Sequence, residues 1–318
     1  MKIPRCIKSR LKTIRRGRWR QLAVAGNLLL AVLANGCHDP AKPEAVWCET
    51  GTGPAEVVYP RAITYDPGQD TFFIIDRVAH VQQLDRNGHC LCDWQMPEWK
   101  NGKPVGASVG PDGNLWVPDT HYHRIIVYSP GGRLLQMFGS DGAGDGQFVY
   151  PTDIAFEGDR VFVSEYGGND RVQVFDHRWH KLYQFGRFGN GDGEFSRPQA
   201  MVIDRGFVYI TDACNHRIVV FTIEGKWVRA MGSAGSDLGQ FRFPYGLAED
   251  RDGHLIVCEF GNNRVQMIDK ESGRGLKIWG SPGREPGQFA YPWGVAVDKR
   301  GRVVAVDAGN NRLQVFEF

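Results

Sequence analysis

The 318-residue sequence has no apolar run long enough to cross a bilayer. Residues 22–34 (LAVAGNLLLAVLA) come nearest, at thirteen, where a spanning helix needs roughly 20. No stretch of ten or more residues has the helical pattern that βαβ units require, which excludes a parallel α/β sheet. The seven cysteines form no C-x-x-C, no C-x-x-C-H and no zinc-finger spacing, so the redox, haem and zinc sites built on those spacings are excluded. Basic charge is also scarce outside one segment. Residues 1–36 hold nine Lys and Arg and no acid; the chain as a whole holds 38 basic and 36 acidic residues, which leaves 29 against 36, a balance of −7, beyond residue 36. An acidic domain removes the global electrostatic argument for nucleic acid, and no nucleic-acid partner is expected.

What fills the chain is a repeat. Units open at Pro60, Pro104, Pro151, Pro198, Pro244 and Pro292, with a period of 44 to 48 residues. Each unit holds short apolar runs split by Gly and Asp. In the fifth unit Leu247-Ala248 is followed by the turn Asp250-Arg251-Asp252-Gly253, then by Leu255-Ile256-Val257-Cys258 ending at Glu259. A polar loop leads to a third run from Arg264, and a fourth ends at Trp279-Gly280. Four strands in roughly 45 residues is the period of a propeller blade. The sixth unit stops at Phe318 after its third strand. Residues 46–60 (VWCETGTGPAEVVYP) align without a gap on 137–151 (MFGSDGAGDGQFVYP). The N-terminal strand is therefore expected to complete the last blade and close the ring.

The wording resembles the NHL-repeat family of six-bladed propellers across about residues 45–318. The resemblance rests on Pro244-Tyr245-Gly246-Leu247-Ala248 and Pro292-Trp293-Gly294-Val295-Ala296. It rests also on an acid followed by N-x-R (Glu259 with Asn262-Asn263-Arg264; Asp307 with Asn310-Asn311-Arg312) and on Trp279-Gly280 with Gly287-Gln288-Phe289. It implies an all-β fold of six blades over residues 46–318 and leaves function open, because such folds host binding modules and enzymes alike.

Ahead of the repeats, the basic run, the apolar run 22–34 and Leu33-Ala34-Asn35-Gly36-Cys37 resemble a bacterial lipoprotein signal. That resemblance implies a signal segment over 1–36, a lipid on Cys37 and a tether over 37–45. The protein is then exported, held to the membrane through its N-terminal lipid and facing the periplasm or cell exterior. Export favours disulfides. Cys48 is expected on the closing strand beside Cys90 and Cys92 of blade 1, and Cys214 and Cys258 near one end of blades 4 and 5. The alternative is that all are small buried residues.

Two rings of positions converge at the channel mouth of such a propeller. One follows each opening proline: Arg61, Val105, Thr152 with Asp153, Gln199, Tyr245 and Trp293. The other lies after each acid: Arg77 and His80; His121, Tyr122 and His123; Tyr166, Asn169 and Asp170; Asn215 and His216; Phe260, Asn262 and Asn263; Asn310 and Asn311. Varied residues on a repeated scaffold are where a ligand is read. The expected ligand-binding set is Arg61, Tyr122, Thr152, Asp153, Tyr166, Gln199, Tyr245, Phe260 and Trp293, with a protein, peptide or glycan of the envelope as partner.

The recurrent acid and arginine, five apart in four blades and six apart at Glu165 and Arg171, read as a structural ion pair. Blade 1 has Val81 where that arginine is expected, so its loop is expected to be freer. His80, His123 and His216 share one offset from their acids and are expected to be structural. His121 with His123 is the more local pair and the candidate metal set, with Asp153 as a further ligand. Amidating lyases that share this repeat hold zinc with three histidines, two of them just after opening prolines. This chain has none there, so no cofactor is expected, zinc or calcium being the exceptions to test for. The G-x-S-x-G match at 106–110 falls in an inner strand rather than in a nucleophile elbow, and the glycine-rich loops at 142–146 and 189–193 read as tight turns. The expected function is a non-catalytic binding or scaffold module; the alternative is a metal-dependent hydrolase or lyase, lactonase-like or amidating-lyase-like, at the same face.

Overall fold

The computed structural model describes residues 42–101 and 103–317. The expected signal segment, Cys37 and the tether up to residue 41 lie outside them. The described residues form six four-stranded antiparallel sheets. Blade 5 is typical, with strands Pro244–Glu249, His254–Glu259, Arg264–Asp269 and Gly275–Trp279 running outward in chain order.

Alternation explains how such short strands hold together. In the second strand of blade 4, Val208 and Ile210 pack into one cluster with Phe162 and Val174 of blade 3. Tyr209 between them packs with Leu247 and Val257 of blade 5. Side chains alternate across a strand, so a strand sandwiched between two blades must be apolar on both faces. It therefore reads as a continuous apolar run. Six hydrophobic clusters result, one at each blade interface.

The N-terminal strand Ala45–Trp47 pairs with Arg312–Phe316, with Ala45 opposite Val315 and Trp47 opposite Leu313. It completes blade 6 as expected. Trp47 packs edge-on against Phe72 of blade 1 at 5.5 Å. A bidentate ion pair from Arg300 to Asp70, at 3.2 and 2.9 Å, ties the same two blades from outside.

The acid, arginine and glycine-rich loop recur together because they make one network. Arg217 donates through Nε to Asp212 at 2.8 Å and through its terminal nitrogens to the carbonyls of Asn190, Gly191 and Glu194. Arg171, Arg264 and Arg312 repeat the pattern on Glu165, Glu259 and Asp307. The acid also accepts a backbone N–H from the incoming connection, as Asp212 does from Ser196 at 2.6 Å. The glycine-rich loops are closed by a folded-back Gln or Glu, such as Gln147 accepting from Gly144 N–H. Ser108 of the G-x-S-x-G match lies in an inner strand and donates to Ile154 O at 2.6 Å.

Blade 1 departs from two expectations. Ile75 pairs with Val81, and Asp76 N–H donates to His80 O. His80 therefore occupies the place of the arginine, and Ala79, not His80, corresponds to His123 and His216. The loop is one residue shorter than in blade 2, where Asp119 pairs with Arg124. Nor is it free: Asp76 accepts the backbone N–H groups of Val58, Val78 and His80, each at 3.0 Å. Cys48, Cys90, Cys214 and Cys258 are free thiols, with Cys258 buried and Cys214 exposed, and Cys92 is buried.

Candidate functional site

The residue before each opening proline is bulky or cationic in all six blades: Tyr59, Lys103, Tyr150, Arg197, Phe243 and Tyr291. Four of them, Tyr59, Arg197, Phe243 and Tyr291, adopt φ between 49° and 64°, a left-handed conformation that bulky residues rarely take. Each is held there by the neighbouring blade. Asn311 Oδ1 accepts Tyr59 N–H, Asp170 Oδ1 accepts Arg197 N–H and Asn263 Oδ1 accepts Tyr291 N–H, all at 2.7 Å. His216 Nδ1 accepts Phe243 N–H at 3.1 Å. These latches carry blade-to-blade register up to the mouth. They also give His216 a structural role, as expected.

The latched side chains surround the channel opening. On one side Tyr245, Phe260, Trp293 and Tyr291 form a contiguous set, with Tyr245 to Trp293 at 4.7 Å and Phe260 to Tyr291 at 5.1 Å. On the other, Tyr150 packs on Tyr166 at 5.1 Å. Two arginines lie over these rings. The Arg61 guanidinium sits 4.4 Å from the Trp293 ring centroid and 5.5 Å from that of Tyr59. The Arg197 guanidinium sits 4.9 Å from Tyr166 and 5.2 Å from Tyr245. Such contacts are worth about 0.5–2 kcal/mol each. Among the described residues neither arginine has an ion-pair partner, and the Nε of each is buried without a hydrogen-bond acceptor. Burial lowers the Arg61 pKa, opposed by Tyr59 and reinforced by Arg77 and Arg197.

Below the mouth is a channel of about 340 Å³. Five positions after the opening prolines line it as expected: Arg61, Val105, Gln199, Tyr245 and Trp293. Asp153 lines it too. Its Oδ2 accepts Met201 N–H at 2.7 Å, and burial pushes its carboxyl up to about 7. Thr152 does not reach the opening. It is fully buried, and its hydroxyl is taken up by Ser164 and by Pro198 O. Thr152 sits where the strand register shifts between Pro151 and Asp153, an irregularity that turns it into the blade while Asp153 faces the channel. Tyr122 is drawn aside: its hydroxyl accepts Asn101 N–H and its ring carries Arg124. Tyr166 and Phe260 sit in the rim, packed on Arg197 and on Tyr245 respectively.

His121 and His123 flank the Tyr150 ring, each at 5.6 Å. His123 Nδ1 faces Val149 O. His121 Nδ1 is buried and unpartnered, and burial, followed by Arg61 and Lys103, lowers its pKa. The structure does not bring this pair together with Asp153. Among the described residues the close-set group of metal-ligating side chains is Asp250, Asp252 and His254. It is a surface turn in which Asp250 already accepts Asp252 and His254 N–H. Sequence reasoning missed Arg197, Tyr59 and Tyr291, because it looked after each proline and not before it. The signal was there: a large residue precedes all six prolines.

Comparison with known proteins agrees with this architecture. A family model described as NHL repeat matches residues 195–221 and 289–316. The chain is 31% identical over 234 residues to peptidyl-glycine alpha-amidating monooxygenase of Mus musculus, covering 70% of this chain and 17% of that protein. It is 24% identical over 149 residues to protein brain tumor of Drosophila melanogaster, covering 45% of this chain and 14% of that protein. The chain thus spans about a sixth or less of these relatives. A solved structure of streptogramin B lyase superposes with a TM-score of 0.62 at 15% identity, covering 85% of this chain and 96% of that one, which is a likeness of fold. Six four-stranded blades and two segments that match the NHL-repeat model make this a six-bladed β-propeller that carries NHL repeats.

Proposed function

We propose that the protein is a non-catalytic binding or scaffold propeller of the bacterial cell envelope that takes a protein, peptide or glycan at its channel mouth. The observation that carries this is the rim itself: aromatic and arginine side chains held in fixed positions by inter-blade latches. Rigid aromatic and arginine groups are what binding hot spots are made of. The test is binding of the purified full chain, in detergent, to peptide and glycan arrays, repeated with Tyr291→Ala. Tyr291 is half-exposed at 51%, so its removal is expected to weaken binding several-fold and leave the melting temperature nearly unchanged. Unchanged binding removes the mouth as the docking face. Trp293 and Tyr245 are unsuitable probes, since both are core residues at 7% exposure.

Export and lipid attachment at Cys37 belong to the same proposal, supported by the basic run, the apolar run and Gly36-Cys37. Metabolic labelling with a fatty acid, lost in Cys37→Ala, is the expected result. A second reading, a metal-dependent lyase or hydrolase, is favoured by the likeness to the amidating monooxygenase. The donor set fits it poorly: the positions after the opening prolines hold no histidine, and His121 and His123 flank a tyrosine. Elemental analysis of the untagged, chelator-washed protein decides. Near-stoichiometric zinc or calcium supports the enzyme, and its absence supports the binding module.

A further inference from the structure

We propose that the mouth is a carboxylate-binding site in which Arg61 and Arg197 clamp the anionic end of a ligand whose apolar body enters the channel. This rests on the binding reading above and names the chemistry it recognises.

The first argument is charge. Five other arginines on this face, Arg124, Arg171, Arg217, Arg264 and Arg312, are each spent on a blade acid at 2.6 to 2.9 Å. Arg61 and Arg197 are not. The latch carboxylate Asp170 is already committed to the N–H groups of Arg197, Gly167 and Gly168, and Asp76 of the blade 1 loop to those of Val58, Val78 and His80. Two half-buried cations near one another, neither with an ion-pair partner among the described residues, are an unfavourable arrangement that a bound anion relieves.

The second argument is geometry. A guanidinium stacked on a ring has its face occupied and its N–H edge left for an in-plane acceptor, and that edge matches a carboxylate fork. Both arginines are stacked this way, on opposite sides of the opening, and both have a buried Nε without an acceptor. His121 adds a third unpartnered buried nitrogen near them. The third argument concerns which oxyanion. Ile63, Met201, Leu247 and Val295 line the channel below, which suits an apolar body. Asp153 and Glu249 stand in the same wall, so a dianionic phosphate meets about twice the repulsion that a single carboxylate does.

The test is calorimetric titration of the full chain with benzoate, with benzamide as its neutral isostere, and with inorganic phosphate. Benzoate is expected to bind at least about ten-fold more tightly than benzamide, and Arg61→Gln and Arg197→Gln each to weaken benzoate by about ten-fold or more, the scale of a charge-assisted hydrogen bond. Circular dichroism melts check that the variants fold, and Arg61→Lys, which keeps charge without the fork, is expected to fall between. Equal binding of benzoate and benzamide, no benzoate binding to the wild type, or phosphate binding more tightly than benzoate each overturns the proposal. Array ligands that still bind the double variant overturn it while leaving the binding module intact. Arginine-dependent benzoate binding with silent arrays keeps the site and removes the macromolecular partner.

Discussion

Glu259 is fully buried yet accepts hydrogen bonds from Arg264 Nε, Arg242 N–H, Asn262 Nδ2 and Gln266 Nε2. Glu259→Ala leaves a buried guanidinium without its anion, which costs about 3–5 kcal/mol. Urea unfolding should show that loss, and a change under about 1 kcal/mol would mean the network is dispensable. Asp153 acts in the opposite sense. Burial holds its folded pKa up at about 7, whereas the unfolded chain releases that proton near pH 4. The folded state therefore binds the proton more tightly. Asp153 contributes stability that is fully present below about pH 4 and is lost as pH rises through about 7. Asp153→Asn removes this dependence. The variant is expected to gain on the order of 4 kcal/mol over wild type at pH 8 relative to pH 4, read from urea midpoints at the two pH values. A pH-independent difference would contradict it. At this scale the sequence located Asp153, Gln199 and Arg61 because they follow a repeated proline. It could not separate Thr152 from Asp153, since both follow Pro151 and a register shift at Thr152 decides which one faces the channel. Arg197 escaped because its role depends on a left-handed backbone held by Asp170, a residue from the adjacent blade.

Among elements, the latch between Asn263 and Tyr291 N–H recurs at three other junctions, with Asn311, Asp170 and His216 as acceptors. Asn263 itself has φ 53°. Asn263→Ala removes the acceptor and places alanine in a left-handed backbone, an expected loss of about 1–3 kcal/mol. Asn263→Gly relieves the strain but not the lost acceptor and should cost less. Thermal melts of both distinguish the two terms, and equal losses would mean backbone strain contributes nothing. The blades themselves were legible from their prolines, Gly-Asp turns and apolar runs, because one packing problem is solved six times. The loop of blade 1 was not. Asp76-Arg77-Val78-Ala79-His80 satisfies the same offset as Asp119 to His123, and only the ladder pairing of Ile75 with Val81 reveals the missing residue. The histidines were misaligned by that one position.

For the whole molecule, closure rests on Ala45–Trp47. Deleting residues 42–48 exposes the edge of Arg312–Phe316 and removes Trp47 from the cluster with Phe72 and Leu313. Losing a buried tryptophan alone costs about 3–5 kcal/mol, so a fall of roughly 10 °C or more in melting temperature is expected. The open edge should also make size-exclusion elution concentration-dependent. An unchanged melt would show that the other interfaces carry the ring by themselves. Closure was legible from the ungapped alignment of residues 46–60 on 137–151, which needs no contact information. The clamp between Arg300 and Asp70 was not, since it joins residues 230 positions apart with no repeated counterpart.

The closing strand also has a mechanical meaning. The described chain enters the ring at Glu44, whose N–H donates to Val315 O, and then through three paired residues. A pull from that side is borne first by those few hydrogen bonds and by Trp47, before any other blade is loaded. The seam that completes the ring is thus the seam under tension, and a propeller tethered there would yield by peeling its last blade while the mouth, latched at four junctions, keeps its shape.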